Sequence, residues 1–258
     1  MKTVNSLSGG KTSSYIAANY PADYNVFALV TVKDKNCIFP DKKIRKEVSD
    51  RIGKEFIGTV EDDTIIYTML DLEQYIGSKI DWVCGNYFED IMIRKNGVYV
   101  PQSNQRYCTT DMKIRAKTMI EKNNKNGFSE DKFVIGKHKN GNNKWKSLEW
   151  RKPVFPLISD GIFKDKVETF WKDKPVRFAW VNNCVGCMGA TPYYLKHQYK
   201  KNKNKMEWFI EQEQKSIEGY KRTWRIDGLS YEEIIKMKQQ YEMFDDDFNS
   251  CDYGYCGL

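Results

Sequence analysis

A glycine-rich turn close to the start of the chain constrains the fold more than any other feature. Lys2 to Leu7 reads as a short extended segment, and Ser8-Gly9-Gly10-Lys11-Thr12-Ser13-Ser14 follows at once. Thr12 to Tyr20 then reads as a helix that Pro21 stops. A strand that feeds a helix through glycines brings backbone N–H groups to a helix N-terminus, an arrangement suited to phosphate oxygens. A Walker A loop, G-x-x-x-x-G-K-[ST], matches Gly10-Lys11-Thr12 but needs its first glycine at position 5, which is Asn5.

The alternation continues downstream. Val26 to Val32 is rich in β-branched and aromatic residues and reads as a buried strand ending near Asp34. Asp41 to Phe56 is charged and helical in pattern. Thr64 to Tyr67 and Ile80 to Val83 read as short strands, Thr109 to Glu121 as a helix, and Phe133 to Ile135 as a strand ending at Gly136. Strand–helix–strand repeated predicts an α/β fold with a mostly parallel sheet flanked by helices. From about residue 156 the pattern turns helical: Lys164 to Trp171, Thr191 to Tyr199, Lys205 to Lys215 and Tyr231 to Gln240. The expected organisation is therefore an α/β unit over 1–155 and a helical, cysteine-bearing region over 156–258 packed on it.

Charge and cysteine content narrow the chemistry. Lys and Arg number 42 against 35 Asp and Glu, a net charge of +7 that suits an anionic ligand without demanding nucleic acid. The run Lys200-Lys201-Asn202-Lys203-Asn204-Lys205 reads first as a solvated face, and so does Asp245-Asp246-Asp247. No apolar run approaches the ~20 residues of a membrane span, and no signal-peptide core opens the chain. A cytoplasmic protein with no membrane partner is expected. The seven cysteines make an odd count, which in that setting favours metal or catalytic thiols over disulfides. Cys184-x-x-Cys187 has the spacing at which two thiolates grip one metal, and Cys251 and Cys256 form a second pair. Four thiolates suit either zinc or an iron–sulfur cluster. Cys37 and Cys84 read as core thiols. Only His138 and His197 are present, which argues against a histidine-rich metal site. Trp208, Trp224 and Tyr220, near basic helices, are candidates for stacking on bases.

Ser8-Gly9-Gly10-Lys11-Thr12-Ser13 matches the pyrophosphatase loop S-G-G-x-[DT]-S, with Thr12 where Asp is usual. Together with other stretches, this loop resembles the phosphoadenosine phosphosulfate reductase family. Arg106-Tyr107-Cys108-Thr109-Thr110-Asp111-Met112-Lys113-Ile114 resembles that family's R-x-C-T-x-x-x-K-I segment. Pro156-Leu157-Ile158 with Val167 to Trp171 is similar to its P-L-I segment, and Asn183-Cys184-Val185-Gly186-Cys187 to its N-C-x-x-C stretch. Lys137 and His138 replace a family Gly-[Ile/Val]-Arg pattern, and the tail Tyr255-Cys256-Gly257-Leu258 departs from the reductases' Glu-Cys-Gly tail.

The resemblance implies an adenine-nucleotide α-hydrolase-like fold. It also implies ATP or a related adenine nucleotide, with Mg²⁺, held by Ser8, Gly9, Gly10, Lys11, Thr12, Ser13 and Ser14. Asp34 would meet the nucleotide or serve only to start a turn. Lys11, Arg106, Cys108 and Lys113 are the expected catalytic residues. Cys184, Cys187, Cys251 and Cys256 are the expected metal ligands, with Cys108 as a further candidate. The leading expectation is cleavage of ATP at its α-phosphate, with pyrophosphate release, coupled to sulfur transfer from a cysteine-bound iron–sulfur cluster. Reduction of an adenylyl sulfate and a zinc-stabilised nucleic-acid-binding protein are the alternatives. The acceptor is open, nucleic acid included, and a homo-oligomer is compatible with the sequence.

Overall fold

A computed structural model describes residues 2–94, 100–102, 106–114, 116, 133–136, 151–215 and 222–238. Its centre is a parallel sheet of β1 (Thr3–Leu7), β2 (Tyr24–Leu29), β3 (Ile80–Cys84), β4 (Phe133–Gly136) and β5 (Arg151–Val154), in the order β3-β2-β1-β4-β5. Every neighbouring pair is parallel: Val4 lies opposite Tyr24 on one side of β1 and Ile135 on the other. From β1 the chain works outward to β3, then returns to the far side of β1 for β4 and β5. The order therefore reverses between β1 and β4, and in open α/β sheets ligands gather at such a reversal, beyond the C-terminal ends of the strands.

β2 shows why the sheet is covered on both faces. Phe27 and Leu29 enter one apolar cluster while Val26 and Ala28 enter another, as the two-residue period of a strand requires. The first cluster takes in the helices α1 (Lys11–Asn19), α2 (Lys42–Ile52), α3 (Thr64–Ile76) and, from beyond residue 160, Val167 and Trp171. Asp41 caps α2 by accepting from the N–H groups of Lys43 at 2.8 Å and Ile44 at 3.1 Å, and Gly53 ends it in the left-handed region.

α3 corrects one expectation. Thr64 to Tyr67 is the first turn of a thirteen-residue helix, not a strand. The β-branched run is short, and Asp62 accepts from the Thr64 N–H at 2.9 Å, starting a helix whose Ile65, Ile66, Met69 and Leu72 share the buried face.

Next come α4 (Phe88–Arg94), a π-helical turn at Thr109–Ile114, α5 (Pro156–Ser159), α6 (Lys164–Trp171), α7 (Pro192–Lys201), α8 (Lys203–Gln214) and α9 (Tyr231–Lys236). The expected α6 matches residue for residue, and α7 and α8 fall within two residues of expectation. A further cluster joins Val30, Val60, Phe88 and Met112 to Trp208, Phe209, Trp224, Tyr231 and Ile234, so apolar packing crosses from residues before 155 to residues after it. No helix among the described residues is long and apolar enough to cross a membrane.

Candidate functional site

The glycine loop leaves the C-terminal end of β1 at the reversal of strand order. Gly9 adopts a φ of +83°, and a Cβ there would meet Ile65 Cγ2 of α3 at 2.6 Å. Both facts require glycine. Gly10 precedes α1 and accepts from the Ser14 N–H at 3.0 Å and from the Ser13 hydroxyl at 3.1 Å. Ser13 Oγ also accepts from the Ser8 N–H at 3.2 Å and lies 3.1 Å from Ser8 Oγ. The hydroxyls thus hold the loop's shape. The N–H groups of Lys11, Thr12 and Ser13, at the opening turn of α1, lack intrahelical acceptors by helix geometry. Thr12 is exposed, whereas Ser14 is fully buried and its Oγ has no hydrogen-bond partner among the described residues.

Lys11 is engaged elsewhere. Its ammonium pairs with Glu168 of α6, and its carbonyl accepts from the Trp171 indole at 2.9 Å. α6 therefore holds both ends of this residue. Tyr15 of α1 meets Phe170 edge-on at 4.9 Å, which seats α6 against the helix that follows the glycine loop.

Asn182 links the loop to the cysteines. Its side-chain amide donates to Ser8 Oγ at 3.2 Å, and a Cβ on Gly10 would lie 2.4 Å from Asn182 Nδ2. Cys184 follows two residues later, within about 7 Å of chain. Cys184 forms an isolated antiparallel β-bridge with Glu61, and the Val185 N–H donates to the Val60 carbonyl at 2.9 Å. Cys187 N–H donates to the Cys184 carbonyl at 3.1 Å, so the two thiols share one tight turn. Gly186, inside that turn, lies against the Phe209 ring, and Tyr231 donates its hydroxyl proton to the Gly186 carbonyl at 3.0 Å.

The expected Arg106–Lys113 segment comes to the same place. Lys113 Nζ bonds to Glu61 Oε1 at 2.8 Å, and Glu61 is almost fully buried. Burial works to lower the Lys113 pKa, but the charges of Glu61 and then Cys184 outweigh it, and the net shift is upward. Cys108, on the same apolar cluster as Cys184 and Cys187, is pushed up by burial, against the pull of Thr109 and Lys113. A guanidinium nitrogen of Arg106 lies 3.6 Å from the Cβ position of Gly189, just beyond Cys187. Lys205 completes the network, donating to the Glu61 carbonyl and to Asp63 Oδ1, each at 2.7 Å. Burial pushes the Asp63 carboxyl up, and Lys205 opposes that shift.

Several expectations fare differently. The carboxylate of Asp34 accepts from the Asn36 N–H at 2.8 Å, so the turn-starting role is the one displayed. Among the described residues no group of three or more Cys, His, Asp or Glu side chains could hold a metal ion. Cys251 and Cys256 lie outside the described residues, as do Lys137, His138, Tyr220 and Asp245 to Asp247. Trp208 and Trp224 are wholly buried and unavailable to bases: α8 turns Trp208 into the core, and the Trp224 indole donates to the Phe209 carbonyl at 2.9 Å. Lys205, placed by its sequence in a solvated run, is buried in the Glu61–Asp63 network.

Sequence reasoning missed Glu61, Asn182, Glu168 and Lys205. The only signals were an acidic triplet before α3 and an asparagine adjoining Asn183-Cys184. The chain matches no family model, no curated protein and no solved structure in the comparisons made.

Proposed function

We propose that the chain is an adenine-nucleotide enzyme that cleaves ATP at the α-phosphate, adenylates an acceptor, releases pyrophosphate and then transfers sulfur from cysteine. The observation that supports this most is the Asn182–Ser8 bond, which brings the C-x-x-C turn to a glycine loop at the strand reversal. A phosphate loop and a thiol turn in direct mechanical contact suit a reaction with one phosphoryl step and one sulfur step.

In this reading the N–H groups opening α1 and the Lys11 ammonium, exchanged from Glu168 to phosphate, hold the nucleotide with its Mg²⁺. An acceptor oxygen attacks the α-phosphorus. Its new P–O bond forms as the bond to the bridging oxygen breaks, and the electron pair leaves with pyrophosphate. Positive donors stabilise that departing charge. A persulfide sulfur, loaded on one cysteine by an external sulfane donor, attacks the carbon that bears the adenylated oxygen. The C–S bond forms as the C–O bond breaks, and AMP leaves with the electron pair. An external thiol then cleaves the S–S bond, freeing the cysteine and leaving the acceptor as a thiol. Arg106 and Lys113 supply positive charge on the cysteine side of the site. Iron–sulfur ligation, or zinc in its place, belongs to the same proposal through Cys184, Cys187, Cys251 and Cys256. Among the described residues no group of three or more such donors is present, and Cys184 and Cys187 would supply two of the four thiolates.

The test is ATP binding by calorimetry on anaerobically purified protein, with iron and zinc analysis and an assay of phosphorus products. Lys11→Ala should weaken ATP at least about tenfold, a loss of ~1.4 kcal/mol. Wild-type protein that ignores ATP ends the proposal. Sulfite produced from an adenylyl sulfate without pyrophosphate would replace it with a reductase.

A further inference from the structure

Trp180 lies two residues before Asn182, and 43% of it is exposed. Tyr194 beside it is almost wholly buried and Phe178 and Tyr193 are half-buried, so Trp180 is the exposed ring of this group. Its ring is not loose. Tyr194 stacks on it at 5.7 Å with planes 25° apart, and the His197 ring lies 4.4 Å away. Both partners belong to α7, whose first turn is fixed by the Thr191 hydroxyl accepting from the Tyr194 N–H at 3.2 Å. The ring packs against α7 with much of its surface open.

The same helix supplies charge. Lys200 and Lys201 lie three and four residues beyond His197, which places them one turn along the face that holds Trp180. Both are exposed, and neither has an ion-pair partner among the described residues. Lys203, at the start of α8, continues the positive edge, although it reaches toward Glu207 at 3.7 Å. An aromatic platform followed by a row of cations is the arrangement that takes one base by stacking and its backbone by charge.

We propose that Trp180, His197, Lys200 and Lys201 form a docking surface for an unpaired nucleic-acid strand, with one base stacked on Trp180 at the rim of the phosphate loop. Lys200 and Lys201 give the local complementarity such a strand requires, and the net charge of +7 does not oppose it. A duplex keeps its bases stacked on one another and fits the platform poorly. The strand's role as the acceptor of the adenylation rests on the proposed function; its docking does not.

The experiment is anisotropy of a short labelled oligodeoxythymidine on the full chain at several salt concentrations, with ATP affinity measured in parallel. Lys200→Glu with Lys201→Glu should weaken the strand at least about tenfold and flatten the log–log salt dependence by about 1.4, as two lost phosphate contacts require. Trp180→Ala should weaken it roughly tenfold with the salt slope unchanged, and Trp180→Phe should keep most of the affinity. ATP affinity should be unchanged in all three. A strand that fails to bind, or binds all variants alike, overturns the docking surface and leaves the ATP reading standing. Trp180→Ala protein that loses ATP but keeps the strand also overturns it, and makes Trp180 a platform for adenine. Lys11→Ala protein with undiminished ATP affinity sinks the ATP reading and leaves the docking surface standing.

Discussion

Gly9 and Lys11 carry opposite demands within three residues. Gly9 is fixed by geometry, with its φ of +83° and Ile65 pressed against the absent Cβ. Gly9→Ala should therefore cost at least about 1–2 kcal/mol from backbone strain alone, read by urea denaturation, and should weaken ATP as well. An unchanged midpoint would show that the loop relaxes without its glycine. Lys11 is fixed by competition, because Glu168 holds the ammonium that a phosphate would want. Glu168→Gln should tighten ATP several-fold while changing stability little, since the pair is solvent-exposed. Weaker binding in that variant would mean that Glu168 orients Lys11 instead of competing for it.

Elements were legible where a local signal had no rival. Pro21 after α1 was sufficient, whereas the helix read over Asp41 to Phe56 ends at Ile52, because Gly53 turns into the left-handed region. α3 was misread because Thr64-Ile65-Ile66-Tyr67 has strand propensity, while the helix is decided by the Asp62 turn and by Met69 and Leu72 a turn or more later. In the candidate site the glycine loop and the C-x-x-C pair were visible as local patterns. Glu61 and Asn182 were not, because their roles come from partners 52 and 174 positions away in the chain. Between elements, Arg177 clamps α3 through Asp71, with bonds of 2.7 Å to each carboxylate oxygen. That hydrogen bonding holds the Asp71 carboxyl below its usual range. The folded protein then binds fewer protons than the unfolded chain, so this contribution is present above about pH 4 and is lost as pH falls below it. Asp71→Asn should flatten the acid limb of the stability–pH curve and cost no more than about 1 kcal/mol at neutral pH. Parallel acid limbs in the two proteins would count against the clamp.

At the scale of the whole molecule, residues on both sides of position 155 share one apolar cluster. Phe88 of α4 lies 5.4 Å from Trp208 and 6.0 Å from Trp224, ring to ring. The helical region therefore owes its core partly to the α/β region. Unfolding should be one transition, with tryptophan fluorescence and far-ultraviolet dichroism superimposing along a denaturant series. Two separated transitions would mean that the regions fold independently. Trp208→Ala should destabilise by about 3–5 kcal/mol and lower both signals together.

The Asn182–Ser8 bond has one more consequence. A ligand that alters the glycine loop changes the free energy of the cysteine turn, because a single short strand of chain belongs to both. Such coupling is reciprocal by thermodynamic necessity. If nucleotide changes the affinity of the cysteine turn for its own ligand by some factor, that ligand changes nucleotide affinity by the same factor. Asn182→Ala would uncouple the two, leaving each site to bind as though the other were always empty.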